Sequence, residues 1–454
     1  MVRLYQGKSA VYGKYYSLEN IMVINRDKYL NQLIHKKWNG LIKIITGIRR
    51  CGKSYLLFNL FHAHLNSIGV EDKYIIELTL DDEVNAKYRN PLELGKYIRN
   101  MIIEEDKEYY VFLDEIQHVK DIKNPWLDGQ NEKIGFVDVL LGLMKIKNAD
   151  IYVTGSNSKM LSSDIVTQFR DRGDEIRLYP LSFREFYDAF PANKENTWKE
   201  YYTYGGLPRI MSFSTHKEKS DYLQNLFKNT YMKDVIERYR IRNDKQILDD
   251  LINIISSAVG SLTNPKKLSD TFKSKSNTSI NSTTIALYLE YFEEAFIIDI
   301  SHRYDIKGKN YIGTPVKYYF TDIGLRNARL NFRQQEENHI MENILFVELK
   351  ARGYNVDVGV VEYRHLDKSG KDIRTQLEVD FVANSGGKTY YIQSALHIDD
   401  EDKHIKEINP LIRIPDSFKK IVVIKDDIMP WHDDNGILYI GIKEFLLNDQ
   451  AINM

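Results

Sequence analysis

The chain has 454 residues, 43% hydrophobic and 28% charged, with 63 Lys and Arg against 64 Asp and Glu for a net charge of −1. No uncharged apolar run reaches the ~18 residues of a membrane span, so the composition is that of a soluble globular chain long enough for about three domains. Near-neutral charge excludes a global nucleic-acid signature and confines any such surface to a local patch.

Residues 1–20, MVRLYQGKSAVYGKYYSLEN, have no apolar stretch behind their basic residues, so no secretory signal is expected. Cys51 is the single cysteine. It can form no internal disulfide and no Cys-type metal cluster, which fits a reducing cytoplasm.

The run LIKII over 41–45 reads as a short buried strand and YLLFNLF over 55–61 as an apolar helix. Between them Gly47-Ile-Arg49-Arg50-Cys51-Gly52-Lys53-Ser54 carries the G-x-x-x-x-G-K-[ST] spacing in the strand-turn-helix context that a phosphate-binding loop requires. The glycines let backbone N–H groups curl around a β-phosphate at a helix N-terminus. Lys53 is suited to neutralising the β- and γ-phosphates and the Ser54 hydroxyl to binding Mg²⁺. The expected nucleotide contacts are Gly47, Arg49, Arg50, Cys51, Gly52, Lys53, Ser54 and Tyr55, with ATP and Mg²⁺ as cofactors.

YYVFLDE over 109–115 is an apolar strand ending in two carboxylates, a Walker B pattern. Asp114 fits the carboxylate that holds the Mg²⁺ shell, and Glu115 is placed to polarise an attacking water, which favours hydrolysis over mere binding. A third strand, Ile151-Tyr-Val-Thr154-Gly-Ser156-Asn157, also ends in small polar residues, where ligands of open α/β sheets bind. Thr154, Ser156 or Asn157 is expected to orient the water.

The order GIRRCGKS, FLDEIQHV, YVTGSNSKML, IRLYPLSFREF and YYTYGGLPRIM resembles a family of prokaryotic AAA+-like ATPases related to the archaeal ATPases. The resemblance covers most of the chain, and LSFREF and GGLPR are its more specific segments. It implies an arginine reaching the γ-phosphate bound by a neighbouring subunit, with Arg172 as first choice and Arg170 as second. It also implies Arg209, after Gly205-Gly206-Leu207-Pro208, as a lid arginine that senses nucleotide state. Assembly into a homo-oligomer, such as a ring, follows from the same resemblance.

After about residue 215 the pattern is helical, with Leu223, Leu226, Phe227 and Tyr231 forming a core stripe. Residues 228–245 hold six Lys or Arg against three Asp or Glu and read chiefly as a solvated face. Two amphipathic segments around 264–272 and 280–292, joined by a polar turn, make a helix-turn-helix candidate. The strands expected at 295–300 and 317–320 would complete a winged form. With four lysines and one aspartate over 264–281, and Ser282, Thr283 and Thr284 opening the second helix, DNA contact is one reading and protein contact the other.

From about 336 a helix to Arg352 and strands at 355–361, 377–382 and 390–395 look like the PD-(D/E)xK nuclease-like fold, with Glu342 turned toward the sheet beside Asp380. An active member needs an acid and a lysine on the last strand. Gln393 and Ala395 stand there, so metal affinity and water activation should be poor.

The expected architecture is therefore α/β: an AAA+ P-loop ATPase domain with lid over 1–215, a helical and winged-helix region over 216–335, and a nuclease-like domain over 336–454 without nuclease activity. The function expected is ATP hydrolysis coupled to DNA binding or remodelling, branched DNA by analogy. The competing reading is a nucleotide-dependent switch that binds a protein partner.

Overall fold

The computed structural model describes residues 24–127, 132–155, 172–190, 194–241, 245–276, 279–333, 336–366, 370, 372–396 and 401–454. The expectations for Ser156, Asn157 and Arg170 lie outside the described residues.

The apolar runs of the first half assemble into one parallel sheet. In chain order its strands are β1 (Ile42–Thr46), β2 (Ile75–Thr79), β3 (Tyr109–Asp114), β6 (Ala149–Thr154) and β7 (Gly173–Arg177), with a short ribbon of β4 (Ile122–Lys123) and β5 (Lys133–Ile134) inserted after β3. Spatial order is β2-β3-β6-β1-β7, all parallel. Every residue of β1 and β3 is buried, as strands covered by helices on both faces must be. Alternation along the strands feeds two cores: Tyr110, Phe112 and Tyr152 pack on Phe61 on one face, while Val111, Leu113 and Val153 join Leu140 on the other.

Because β6 lies between β1 and β3, the C-terminal ends of the three strands are adjacent at one edge. β1 leads through the phosphate loop into Lys53–Tyr55, a π-helical turn Leu56–Phe61 and the α-helix His62–Ser67. Insertions of this kind often lie at functional sites because they shift the phase of one helix face against the next.

A second π-helical turn, Phe227–Met232, joins His216–Leu226 to Lys233–Arg238. Further along, Pro265–Ser276 and Ser282–Glu294 pack on each other through Leu268, Phe272, Ile285 and Leu289, the two helices expected from the sequence. The strands that follow are longer than a wing needs. β8 (Ile298–Asp305) and β9 (Asn310–Phe320) pair antiparallel, and β8 also pairs in parallel with β10 (Asn355–Leu366).

The resulting eight-stranded mixed sheet adds β11 (Asp372–Ser385), β12 (Lys388–Ala395), β13 (Lys419–Ile424), β14 (Trp431–His432) and β15 (Leu438–Gly441), in the order β14-β15-β13-β12-β11-β10-β8-β9. It draws strands from both sides of the boundary expected at 335. The helix Glu337–Ala351 packs on it through Leu345, Phe346 and Leu349. Among the described residues no helix is long and apolar enough to cross a membrane.

One contact tying the helix behind the phosphate loop to the sheet is titratable. His62 Nδ1 lies 2.6 Å from Glu77 and Nε2 3.0 Å from Asp72. The hydrogen bond to Glu77, opposed by partial burial and aided by Asp72, lifts the imidazole to about 9 from its ordinary 6.5. A folded-state value above the unfolded one stabilises the fold fully below pH ~6.5 and loses that contribution as pH rises through about 9. Urea midpoints of the protein and of His62→Gln should therefore differ most near pH 6 and converge by about pH 10; a gap independent of pH would remove His62 from this role.

Candidate functional site

The phosphate loop is shaped by close packing at its first glycine. Gly47 has φ 138°, and a Cβ there would meet the Leu178 carbonyl oxygen at 2.1 Å. Only glycine allows β1 to turn this tightly beside the continuation of β7. Gly52, at φ 102°, opens the helix that begins at Lys53. Lys53 is buried and its Nζ donates to Gly47 O at 3.0 Å and Ile48 O at 3.2 Å, so the ammonium is held inside the loop. Cys51 is buried with its Sγ 3.5 Å from Leu178 O, and burial pushes its thiol up. Arg50 has φ 70°, a left-handed conformation costing a side-chain-bearing residue roughly 1–3 kcal/mol.

The acidic half of the site comes from β3 and β6. Thr154 at the end of β6 hydrogen-bonds Asp114 Oδ1, and its oxygen accepts the Glu115 backbone N–H at 3.0 Å. Glu115 is also left-handed, at φ 52°, so a strained residue carries the second carboxylate. Gln117 hydrogen-bonds that carboxylate. Burial pushes the Asp114 carboxyl up against the pull of hydrogen bonds from Thr154 and Ser54, and the charges of Glu115 and Asp81 push it further.

Three carboxylates therefore share one edge with Lys53, and a cation there would relieve their mutual repulsion. The Ser54 hydroxyl and Asp114 carboxylate are hard oxygen donors of the kind Mg²⁺ takes, so the donor set fits that ion. Asp81, two residues beyond β2, was not picked out by sequence reasoning; its signal was the acidic pair at the end of a third strand.

The loop is braced from behind by residues distant in sequence. Arg26 is buried, with Nη1 donating to Cys51 O at 3.0 Å, Nη2 to Tyr179 O at 2.7 Å and Nε to Glu185 at 2.9 Å. Glu185 also closes a capping box with Ser182 at the helix Phe183–Ala189. The LSFREF segment is thus the support of Arg26. GGLPR packs against it: Leu181 N–H donates to Gly206 O at 2.7 Å, and a Cβ on Gly206 would meet Leu181 O at 2.2 Å. Pro208 then lies against Gly52. Asp322 fastens the turn by accepting from Gly206 N–H at 2.7 Å while capping Ile323–Arg329. Its burial lifts the carboxyl to about 6, against the backbone N–H groups that favour the anion.

Arg209, beside Pro208, is exposed over the Phe213 ring at 5.9 Å. Tyr55 is half-buried. Arg172 is exposed, and its carbonyl accepts the Ile42 N–H at 3.0 Å at the N-terminal edge of the sheet. The length of β1 separates it from Gly47 by about 16 Å, which leaves it out of its own chain's phosphate loop.

The stretch 228–245 is only partly the solvated face expected of it. Lys228, Lys233, Glu237 and Arg240 are exposed, but Asp234 turns inward to take Arg49 Nη1 at 2.6 Å.

Residues 39–187 match the family model described as an AAA domain, and residues 195–336 match that of a domain of unknown function. An uncharacterized protein of Haemophilus influenzae is 32% identical over 430 residues, covering 94% of this chain and 99% of the relative. The chain belongs to that protein's family. An uncharacterized protein of Methanocaldococcus jannaschii is 30% identical over 354 residues, 74% of this chain and 73% of the relative. Among solved structures, the Walker-type ATPase of Pyrococcus abyssi aligns over 68% of this chain and 96% of that one, at 15% identity and a TM-score of 0.47. Cdc6p from Pyrobaculum aerophilum aligns over 74% and 97%, at 12% identity and a TM-score of 0.29. The AAA-domain match contains the whole phosphate edge, from Gly47 to Thr154.

A second acidic cluster has a different make-up. Glu342 and Asp380 do converge, but around Lys317 of β9, whose Nζ lies 2.7 Å from Glu342, 2.7 Å from Glu378 and 3.9 Å from Asp380. Tyr319 Oη donates to Glu342 at 2.6 Å. Gln393 accepts the Asp380 N–H at 3.3 Å and donates to Glu407 at 3.0 Å. Burial would raise Glu342, but the Lys317 charge together with hydrogen bonds from His339, Lys317 and Tyr319 holds that carboxyl low; burial and the charge of Glu342 push Asp380 well up. Among the described residues no group of three or more His, Cys, Asp or Glu could hold a metal ion.

Lys317 was invisible to sequence reasoning because it lies on another strand. Removing one partner from a buried ion cluster leaves uncompensated charge at a cost of ~3–5 kcal/mol. Lys317→Met should therefore lower urea stability by about that much, with partial recovery in Lys317→Met/Glu342→Gln. A loss under about 1 kcal/mol would contradict a counter-ion role.

Proposed function

We propose that this protein hydrolyses ATP with Mg²⁺ at the edge formed by Lys53, Ser54, Asp114, Glu115 and Thr154. The observation that carries this reading is the pairing of a glycine-shaped phosphate loop with a strained Glu115 two strands away, its backbone fixed by Thr154 on the strand between. Lys53 and the loop N–H groups bind the phosphates, and Ser54 and Asp114 would hold Mg²⁺, which when bound would supply neutralisation of charge on the phosphoryl oxygens. Glu115 takes the proton of the attacking water. Thr154 keeps the two carboxylates apart, one as ligand and one as base.

Lys53→Ala should abolish ATP binding. Glu115→Gln should keep it while turnover falls ~10²–10⁴-fold, the span of general-base catalysis. Equal turnover by wild type and Glu115→Gln, measured as phosphate release, would sink the assignment.

Coupling to DNA is the second part of the proposal. Lys266, Lys267 and Lys273 are exposed on the first helix of the pair, and Thr283, Ala286 and Leu287 are exposed on the second, a surface suited to phosphates on one helix and base edges on the other. Duplex, single-stranded or branched DNA should raise the ATPase rate, with an effect that weakens as salt increases. If none binds or stimulates, the switch reading takes over, with a protein partner on the same helices. Arg172, and Arg170 beside it, would act on a neighbouring subunit's phosphate in a homo-oligomer, with Asn157 helping to place the water.

The C-terminal sheet is proposed to be nuclease-like and inactive, because Lys317 fills its carboxylate cluster and Gln393 and Ala395 stand where the acid and lysine belong. Pure protein with Mg²⁺ or Mn²⁺ should leave DNA intact. Cleavage that disappears in Asp380→Ala would show an active centre instead.

A further inference from the structure

Asp322 is a buried carboxylate that the mechanism above does not use. It is 3% exposed and stands where β9 ends, after Thr321, whose N–H donates to Ile297 O at 3.1 Å. Its two oxygens take different partners. Oδ1 accepts the Leu325 N–H at 3.1 Å and caps Ile323–Arg329, while Oδ2 accepts the Gly206 N–H at 2.7 Å. A buried carboxylate with backbone donors for partners is costly to keep and calls for an explanation. The helix cap alone does not supply one, because a serine or threonine hydroxyl caps a helix without burying a charge.

The packing around Asp322 is equally restrictive. Gly205 has φ 75°, and a Cβ there would overlap the Asp322 carboxylate, while a Cβ on Gly324 would overlap the Tyr204 carbonyl. Asn327 of the capped helix donates to Tyr202 O at 2.8 Å and Thr203 O at 3.0 Å, at the end of the helix Thr197–Tyr204. The turn 205–208 is therefore seated on Ile323–Arg329 at backbone distance. Its next contact is the phosphate loop, where Pro208 Cγ lies 4.0 Å from the Cβ position of Gly52. A second support reaches the loop at Arg49: Tyr231 Oη donates to its carbonyl at 2.7 Å, and Asp234 takes its guanidinium at 2.6 Å. Residues 231, 234 and 322 all lie beyond the segment 39–187 that matches the AAA domain.

We propose that Asp322 is a positioning residue for the phosphate loop: acting through the turn Gly206 to Pro208, its Oδ2 holds Gly52 in the shape that receives phosphates. Nucleotide affinity is then set in part from the end of a strand of the C-terminal sheet. This rests on the nucleotide reading of the Gly47–Ser54 loop and deepens it. Gly52, at φ 102°, opens the helix at Lys53, so a shift of the turn passes straight to the Lys53 and Ser54 backbone. Asp322 itself touches no phosphate.

The test is equilibrium binding of fluorescent ATP and ADP analogues to the full chain, with turnover blocked by Glu115→Gln in every variant. Asp322→Ser separates the two oxygens, since serine still caps the helix but is too short to reach Gly206. Loss of that one charge-assisted contact should weaken ATP and ADP alike, by about 10-fold, because both carry the phosphates the loop holds. Pro208→Ala leaves Asp322 and its cap in place and should weaken both nucleotides about threefold. With Glu115 intact, Asp322→Ser should raise the KM for ATP while kcat stays within about twofold, the pattern of lost uniform binding. Lys317→Met, on β9 but outside this contact chain, should keep the parental affinity despite its lower urea stability.

Urea midpoints show whether Asp322→Ser has folded; should it fail to fold, Pro208→Ala carries the comparison. Parental affinity in the folded variant, beside a parent that loses nucleotide on Lys53→Ala, would overturn the inference alone. An equal loss of affinity in Lys317→Met would do the same, by showing general loosening of the sheet. A parent that binds neither nucleotide would overturn the nucleotide reading, and this inference with it.

Discussion

The contact between Gly47 and the Leu178 carbonyl is the constraint on which the phosphate edge depends. It brings the turn after β1 against the chain leaving β7, and the Leu178 N–H donates back to Thr46 O at 2.7 Å. Once the turn is pinned there, Lys53 folds inward onto the loop carbonyls and Cys51 is sealed beneath it. Arg26 then ties Cys51 and Tyr179 together from behind, so the loop at the start of the domain takes its shape from a strand at its end. Glycine at 47 is a packing requirement before it is a phosphate-binding one.

Strain and charge are concentrated where that packing leaves space. Arg50 and Glu115 both sit in left-handed backbone, and the charges of Glu115 and Asp81 act on Asp114, which takes hydrogen bonds from Thr154 and Ser54. The Glu342 and Asp380 cluster solves the same repulsion in the opposite way, by placing the Lys317 ammonium at its centre. At the first edge Lys53 bonds loop carbonyls; at the second Lys317 is bonded to the carboxylates themselves. This difference, rather than the number of carboxylates, separates a site poised for chemistry from one whose charges support the fold.

Much of the phosphate edge was legible in the sequence because its chemistry is written in contiguous segments. Gly47 to Ser54 lie on one turn, and Asp114 with Glu115 end one apolar strand, so spacing alone assigns their roles. Thr154 was legible as a polar residue ending a buried strand. Arg26 and Asp81 were not, because Arg26 meets the loop, and the charge of Asp81 reaches Asp114, only after the sheet and the helices around it have packed. LSFREF and GGLPR stood out as segments, yet their work of bracing Arg26 and seating Pro208 on Gly52 appears only in three dimensions. The antiparallel pair β8 and β9 reads as a wing locally; its parallel partner β10, some fifty residues on, makes it part of the larger sheet.

By itself, then, the sequence determined the strand-turn-helix at the phosphates, the acidic strand end and the helical pair at 265–294, because each depends on local spacing and on the period of apolar residues. The tertiary structure alone decided which arginines face the site. Arg172 and Arg26 look alike as residues in charged segments, but a parallel strand holds the first at the far edge of the sheet. The packing of the helix Asp27–Lys36 brings the second to the loop, where it donates to Cys51 O at 3.0 Å. Side-chain reach is a few ångströms, so which charges meet is decided by where whole strands and helices pack.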